Sequence, residues 1–281
     1  MASLGKRSQL HVVRIATPGV YLDAGPLGEI LLPGVYVPTG TITGQAFDVF
    51  IHRDSEDRLV ATTESPYGEV GEFVALQVIA SDPSRGAFLD WGLSKDLLLP
   101  IREQDRRVEV GQFVVVYILV DERSDRIVAS SRLNRHLNLT PPNYRANQPV
   151  KLLVIEPTAL GYTAIVDRAH LGLLYHNELP APIGTGEKLD GYVRAVRADG
   201  KIDLSLNPAG YRRVAPLKGQ ILDALTAAGG RLPYSDGSSP EEIWAAFACS
   251  KKAFKQAIGA LFRERKIVIE ERAITANSAP P

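Results

Sequence analysis

The 281-residue sequence has little cysteine, no surplus of either charge and no long apolar run. Its single cysteine, Cys249, excludes an internal disulfide and any zinc site built from several cysteines. Thirty-two basic residues balance 32 acidic residues, so whole-molecule attraction to a polyanion is excluded and any such contact must be local. No stretch approaches the roughly 18 to 20 apolar residues that a membrane-spanning helix needs. The first residues lack the apolar segment of a secretory signal, so we expect a cytoplasmic protein without membrane contact.

The residues that are present are those of a folded globular protein, with 45% hydrophobic and 23% charged side chains. Their charges are unevenly distributed along the chain. Residues 211–281 carry 11 basic and 7 acidic residues, whereas residues 66–133 carry 8 and 11. The C-terminal quarter therefore has the positive excess that an anionic ligand would require.

One pattern of landmarks occurs three times along the first 210 residues. In each copy a hydrophobic triplet is followed by a glycine, and the spacing between the two is identical in all three copies. Segments rich in aromatic and β-branched residues flank these landmarks and are typical of strands. Five short strands per copy of about 65 to 75 residues, with a longer connection after the third, predict a small, partly open barrel of the OB type. The landmarks are Leu31-Leu32-Pro33 with Gly44, Leu98-Leu99-Pro100 with Gly111, and Leu173-Leu174-Tyr175 with Gly186.

The aromatic residues of the second predicted strand are less regular. Tyr21 and Phe88 precede the last members of their triplets by the same interval, whereas Tyr162 lies one position further from Tyr175. The aromatic positions of the third copy are therefore out of step with those of the first two.

Beyond residue 216 the apolar residues recur at helical spacing. Ser239-Pro240-Glu241-Glu242 combines an N-cap serine, a first-turn proline and a glutamate three residues after the cap, which predicts a helix start. Ser250 is predicted to cap a further helix. Three helices followed by the strand-like Ile267-Val268-Ile269 predict a winged helix-turn-helix domain. The apolar stripe of the third helix is predicted to consist of Phe254, Ile258, Leu261 and Phe262.

Short motifs within these units resemble known signatures. Gly86-Ala87-Phe88-Leu89-Asp90 resembles the second strand of ribosomal S1-type RNA-binding domains, and residues 172–179 and 201–206 resemble the third and fifth strands. Three such units followed by a winged helix are similar to the bacterial conserved virulence factor B family of RNA-binding proteins. The resemblance covers nearly the whole chain and is weakest in the first unit. Pro33 and Pro100 depart from the pattern, because the third unit has Tyr175 followed by His176 instead.

The resemblance implies a mostly β fold of three tandem S1-like OB-fold barrels and a C-terminal winged-helix α+β domain. Residues 1–65 are expected to form a degenerate first barrel and residues 66–137 a second. Residues 138–210 would contain a linker and the third barrel, residues 211–272 the winged-helix domain, and residues 273–281 a disordered tail.

Single-stranded nucleic acid binds to aromatic rings that stack on bases and to cations that contact phosphates. The third unit offers such residues on its predicted strands, and by resemblance this is the RNA-binding face of an S1-type barrel. Because alternate side chains of a barrel strand point inward, each aromatic residue could instead belong to the core. Tyr21 of the first unit has little cationic support. The candidate RNA-binding residues are Tyr162, Tyr175, His176, Lys188, Arg194, Arg197 and Lys201 of the third unit, Phe88 and Trp91 of the second unit (beside Arg85 and Lys95), and Lys251, Lys252, Lys255, Arg263, Arg265 and Lys266 of the winged-helix segment.

The sequence offers little that is typical of an enzyme, and we expect no catalytic residue, metal ligand or cofactor. Residues 184–188 have glycines and a lysine but not the Gly-Lys-Ser/Thr of a phosphate-binding loop. His170 and His176 are six residues apart, which matches no zinc motif. Clustered carboxylates of a two-metal nuclease are also not recognisable.

The sequence therefore predicts a non-catalytic protein that binds single-stranded RNA and regulates gene expression post-transcriptionally. The alternative is a scaffold whose domains dock on ribosomal or RNA-processing proteins. A nucleic-acid hydrolase and a regulator of duplex DNA remain open but less favoured, the latter because three S1-like barrels indicate RNA.

Overall fold

The computed structural model describes residues 2–176, 179, 182–208 and 211–277. The chain divides into two compact units, Met1–Leu139 with Thr185–Glu187, and Thr140–Gly184 with Lys188–Pro281. Two five-stranded β modules form the first unit, and a closed β-barrel and a helical domain belong to the second.

The first β module is a closed barrel of five short strands. Its five strands are connected in the order β1-β2-β3-β5-β4 and form a closed barrel. Inward side chains such as Leu22, Leu32 and Ile51 fill the centre, and alternate residues face outward. The strands are β1 (Arg7–Ala16), β2 (Gly19–Asp23), β3 (Glu29–Pro33), β4 (Ala46–Arg53) and β5 (Leu59–Thr62).

The other two β modules repeat this connection with one difference. The third barrel closes as the first does, whereas the second remains a five-stranded sheet in the order β10-β9-β6-β7-β8, without pairing between its edge strands. The prediction of three OB-type modules is confirmed, and the predicted partial opening applies to the second alone. The strands are β6 (Phe73–Asp82), β7 (Gly86–Leu89), β8 (Leu97–Pro100), β9 (Phe113–Asp121) and β10 (Arg126–Ser130), then β11 (Pro149–Pro157), β12 (Gly161–Val166), β13 (His170–Tyr175), β14 (Lys188–Val196) and β15 (Ile202–Ser205).

A glycine begins the second strand of every barrel because two strands meet there without room for a side chain. A Cβ built on Gly161 would lie 1.8 Å from the carbonyl oxygen of Leu174, and one on Gly86 would lie 2.2 Å from that of Leu99. The strand register pairs these glycines with Tyr175 and Pro100, the last members of the triplets. The glycines are therefore the equivalent positions of the three units. Counted from them, Tyr21 and Phe88 lie two residues further on, whereas Tyr162 lies only one residue further on.

The first and second barrels share a well-packed interface within the first unit. Phe50 of β4 lies in the hydrophobic core of the second barrel, where its ring meets that of Trp91 edge-on at 5.4 Å between centroids. The ammonium of Lys95 donates to the carbonyl oxygens of Arg53 and Asp54 at 3.1 and 2.8 Å. Two reciprocal ion pairs, Arg53 with Asp125 and Arg126 with Asp57, connect the β4–β5 and β9–β10 hairpins.

The C-terminal domain has the predicted winged-helix architecture. Ser239 and Glu242 form a complete capping box, and the Ser250 hydroxyl accepts a hydrogen bond from the backbone N–H of Ala253 at 3.3 Å. Three short strands form a sheet in the order β16-β18-β17. The elements are α1 (Tyr211–Ala227), β16 (Arg231–Leu232), α2 (Pro240–Phe247), α3 (Lys251–Arg263), β17 (Ile267–Ile269) and β18 (Ile274–Ala276).

Two expectations for this domain are wrong. Phe262 does not join the buried stripe of Phe254, Ile258 and Leu261, because it is 53% exposed on the outer face of α3. The predicted tail begins too early, since Ile274 is fully buried and β18 pairs with both β16 and β17. Residues 278–281 of the expected tail lie outside the described residues. No helix within the described ranges is both long and apolar enough to cross a membrane.

We expect Gly86→Ala to destabilise the second barrel much more than Gly111→Ala. Both glycines have a positive φ, +132° and +88°, but only at Gly86 would the added Cβ meet backbone atoms. At Gly111, alanine in a left-handed conformation should lower the free energy of unfolding by about 1 kcal/mol. At Gly86 a strand must also move, so the free energy of unfolding should fall by about 3 kcal/mol. Urea denaturation followed by Trp91 fluorescence, in a Trp244→Phe background, measures both losses. Equal losses would contradict the close approach of β7 and β8.

Candidate nucleic-acid interface

Three polar side chains on the outer surface of the third barrel form one hydrogen-bonded group, which we call the Tyr175 cluster: Tyr175, Asp203 and Arg197. Tyr175 ends β13, Asp203 lies on β15, and Arg197 follows β14. The Tyr175 hydroxyl donates to Asp203 Oδ1 at 3.0 Å, and Arg197 Nε donates to Asp203 Oδ2 at 3.0 Å. A second guanidinium nitrogen of Arg197 lies 2.9 Å from Asp203 Oδ1 and also donates to the Tyr175 oxygen.

The contacts within the Tyr175 cluster favour the protonated forms of Tyr175 and Arg197. Partial loss of solvent and the hydrogen bond to Asp203 raise the pKa of Tyr175, so that its phenol remains protonated at neutral pH. The Asp203 carboxylate raises the pKa of Arg197. Because Asp203 balances the charge of Arg197, the cluster carries no net charge.

His176 and Leu160 lie next to the Tyr175 cluster at the edge of the barrel. The backbone N–H of His176 donates to the carbonyl oxygen of Leu160 at 3.1 Å, and its ring Nε2 lies 3.0 Å from the carbonyl oxygen of Thr158. Leu160 is 65% exposed at the tip of the β11–β12 turn. Sequence reasoning missed Leu160, although an apolar residue in a tight turn between Thr158 and Gly161 is an available signal of a contact surface.

Tyr162 is not part of this surface, contrary to expectation. It is 7% exposed and packs in the core of the third barrel, with its ring 5.3 Å from that of His176. The physical reason is its register: Tyr162 follows Gly161 by one residue and therefore points inward, as Ala87 does after Gly86. Tyr162 cannot stack on a base without unfolding the barrel.

The four predicted cations of the third barrel are all exposed, but they are not gathered in one place. Arg194 is close enough to influence the titration of Tyr175 electrostatically. Lys201 forms an ion pair with Asp199 at 3.1 Å in the β14–β15 turn. Lys188 begins β14, and Ala195 of the same strand pairs with Asp203. The seven residues between them correspond to roughly 23 Å of strand, so Lys188 lies far from the cluster.

Tyr21 of the first barrel and Phe88 of the second each lie under an arginine. The Arg85 guanidinium lies 5.8 Å from the Phe88 ring centroid and pairs with Asp82 at 3.0 Å. Arg14 lies 3.4 Å from the Tyr21 ring centroid. In both barrels an arginine therefore lies over one face of the aromatic ring.

Trp91, which the sequence predicts to bind RNA, is also buried. It is 4% exposed, and its indole Nε1 donates to the carbonyl oxygen of Gly68 at 2.8 Å. Its ring fills the space against Phe50 where the first and second barrels meet. Trp91 is a packing residue and is not available for base stacking.

The outer face of α3 provides a second candidate surface. Lys252, Lys255, Phe262 and Arg263 are exposed on this helix, and Lys251 is half-buried. Within the part of the chain that the structure describes, Lys251, Lys252 and Arg265 have no carboxylate within 4.0 Å, whereas Lys255 pairs with Asp236 at 3.3 Å and Lys266 with Glu264 at 3.7 Å. Arg263 Nε donates to the carbonyl oxygen of Gly259 at 3.2 Å. A Cβ built on Gly259 would meet nothing within 4 Å, so the middle of this face is open.

No metal site emerges from the described residues, where no three His, Cys, Asp or Glu side chains form a ligand group. His170 Nε2 instead donates to the carbonyl oxygen of Thr140 at 2.8 Å, and its Nδ1 lies 3.0 Å from the hydroxyl oxygen of Tyr144. These contacts attach the start of the predicted linker to the third barrel.

Known families match most of these elements. The S1 domain model matches residues 4–64 and 70–132, and the model of the CvfB-like winged helix domain matches residues 219–275. The uncharacterized protein YitL of Bacillus subtilis is 28% identical over 229 residues, which are 79% of this chain and 77% of that protein. Conserved virulence factor B of Staphylococcus haemolyticus is 24% identical over 240 residues, 83% of this chain and 80% of its own length.

One solved structure is also similar to this chain. A multidomain protein with nucleic acid binding domains from Streptococcus pneumoniae is 23% identical, with 97% of this chain and 98% of the other covered at a TM-score of 0.43.

The chain is thus a multidomain protein of S1 barrels and a winged helix, which are domain classes that support a nucleic-acid-binding role. It is similar to proteins of the conserved virulence factor B family in its winged-helix domain and along most of its length. The resemblance seen in the sequence is confirmed, and the S1 match includes the first barrel, which was expected to be degenerate.

We expect Tyr162→Ala and Tyr175→Ala to differ sharply in their effect on stability. Removing the buried Tyr162 ring should destabilise the third barrel by about 3 kcal/mol, as for other large-to-small core changes. Tyr175→Ala removes a half-buried surface residue and should cost about 1 kcal/mol. Amide hydrogen exchange in peptides covering β12 and β13 measures the two losses separately from the other domains. Similar loss of protection in both variants would contradict the assigned register.

Proposed function

We propose that this chain is a non-catalytic protein that binds single-stranded RNA and acts in post-transcriptional regulation. The observation that carries the proposal is the outer surface of the third barrel, where Tyr175 and His176 lie beside Arg194, Arg197 and the exposed Leu160. Stacking on such rings is worth about 1 to 3 kcal/mol per base and is possible only for unpaired bases.

The charge distribution also favours a single strand over a duplex. Binding to duplex nucleic acid depends mainly on many phosphate contacts. The chain has no net charge, and most arginines near the aromatic residues are engaged by carboxylates, including Arg14, Arg85 and Arg197. We therefore expect about two to five phosphate contacts and a shallow dependence of binding on salt.

The outer face of α3 would supply part of those phosphate contacts. Lys252 and Arg263 are exposed on it without a carboxylate within 4.0 Å among the described residues, and Phe262 offers an exposed ring beside them. The open space at Gly259 would let a nucleic-acid backbone approach the helix closely.

A protein-binding scaffold is the second candidate function, and one observation favours it. Trp244 is 38% exposed on α2, with exposed Ala245 and Ala248 next to it. Exposed tryptophan is typical of protein interfaces. Co-sedimentation with ribosomal particles that survives nuclease treatment and is lost in Trp244→Ala would favour this function over direct RNA binding.

We expect the double variant Tyr175→Ala, His176→Ala to bind single-stranded RNA about tenfold more weakly, because two stacking groups are removed. Filter binding with polypyrimidine and polypurine RNA at two salt concentrations measures the loss. Phe113→Ala is the matched control, since it removes an aromatic residue that is 52% exposed on the second barrel. Equal binding by all three proteins would contradict the assignment to the third barrel, and no binding by the unaltered chain at low salt would exclude the function.

The double variant Lys252→Ala, Arg263→Ala should make RNA binding less dependent on salt. Each phosphate of a single strand that is no longer neutralised lowers the slope of log K against log salt by about 0.7, so a decrease of about 1.4 is expected. Lys151→Ala with Arg231→Ala is the control, because these cations are 81% and 64% exposed on other elements, β11 and β16. An unchanged slope in the first variant would remove α3 from the RNA-binding surface.

A further inference from the structure

A carboxylate lies in the middle of the proposed RNA-binding face, where it should repel phosphates. Asp203 lies on the outer side of β15, and its side chain is only 17% exposed. A negative charge beside a polyanion lowers affinity unless it is balanced. The position of Asp203 therefore requires a physical explanation.

The hydrogen bonds of Asp203 supply that explanation. It accepts two guanidinium N–H groups from Arg197, at 3.0 and 2.9 Å, and the hydroxyl of Tyr175 at 3.0 Å. A carboxylate has about four acceptor positions, so this geometry uses three of them. The bidentate pair fixes the plane of the guanidinium, and Arg197 in turn donates to the Tyr175 oxygen.

The first two barrels place their arginines differently. Arg14 lies 3.4 Å from the Tyr21 ring centroid and Arg85 lies 5.8 Å from that of Phe88, so each arginine lies over a ring. In the third barrel Asp203 instead holds Arg197 at the hydroxyl of Tyr175. The arginine–ring contacts found among the described residues involve Tyr21 and Phe88, and the Tyr175 side chain is partly exposed.

We propose that Asp203 is a positioning residue that holds Arg197 and Tyr175 as an uncharged stacking surface, so that the third barrel selects unpaired bases over phosphate. This inference rests on the proposed function. It assigns Arg197 to the support of a base-stacking ring and excludes it from the phosphate contacts. Asp203 would then lower affinity for anions in general and raise selectivity for RNA bases.

The test is Asp203→Asn, which keeps the size of the side chain but removes its charge. Once Asp203 no longer neutralises Arg197, the guanidinium can contact a phosphate of a short oligouridine. The slope of log K against log salt should then steepen by about 0.7, the value for one added phosphate contact on a single strand. Binding to inorganic polyphosphate, which has no bases, should strengthen about threefold or more because one cation is added. The ratio of the two affinities should therefore shift towards polyphosphate.

Asp190→Asn is the matched control, because Asp190 is 79% exposed on the same barrel and pairs with Lys151 away from the cluster. It makes the same change in net charge without releasing Arg197. If the two variants have the same salt slope and the same affinity for polyphosphate, Asp203 has no role beyond its charge and the proposal is wrong.

A second variant keeps the proposal testable if Asp203→Asn disturbs folding. Tyr175→Phe retains the ring but removes the hydroxyl that holds it, and it should weaken oligouridine binding about fivefold, the effect of one hydrogen bond. Unchanged affinity would contradict positioning through Asp203.

A measurement without RNA separates this inference from the proposed function. The Arg197 Nε–H should give a slowly exchanging NMR signal in the unaltered chain that is lost in Asp203→Asn and kept in Asp190→Asn. If that signal is present but the unaltered chain does not bind oligouridine, the proposed function fails, and the inference fails with it. If the chain binds oligouridine but the signal is absent, only the role of Asp203 is contradicted.

Discussion

The alternation of side chains across the barrel wall determines which aromatic residues can touch a ligand. That alternation is fixed by the glycine at the start of the second strand, because only glycine permits the strand to lie against the carbonyl oxygen at the end of the third strand. Counting from Gly161, Tyr162 points into the core and Thr163 points outward. On the proposed function, base stacking by the third barrel therefore falls to Tyr175, the residue paired with that glycine.

The distribution of ion pairs is the second constraint on function. A chain with no net charge can still bind an anion where its cations lack carboxylate neighbours. In the first unit, Arg53 and Arg126 connect two hairpins, and Lys95 binds backbone carbonyls, so these cations contribute to structure. Among the described residues, Lys252 on α3 is an exposed cation without such contacts, and it lies in the segment with the largest positive excess.

Much of the fold could be predicted from sequence because it rests on local signals, whereas the site depends on contacts between distant residues. The capping box at Ser239 and the repeated glycines need only neighbouring positions to be recognised. The burial of Trp91 depends on Phe50, which belongs to another barrel and is far away in the sequence. The role of Asp203 depends in the same way on a parallel pairing of β13 with β15, which no local pattern reveals.

The combination of an uncharged stacking surface with a separate basic helix implies a particular kind of selectivity. Either surface alone is modest, since one offers few rings and the other few cations. When two modest sites belong to one chain, the second contact is made at a high effective concentration, and the affinities reinforce each other for a ligand that reaches both. A short oligonucleotide gains nothing from this arrangement, and a duplex cannot use the stacking surface. On the proposed function, therefore, long unpaired RNA is the ligand for which this distribution of rings and cations is best suited.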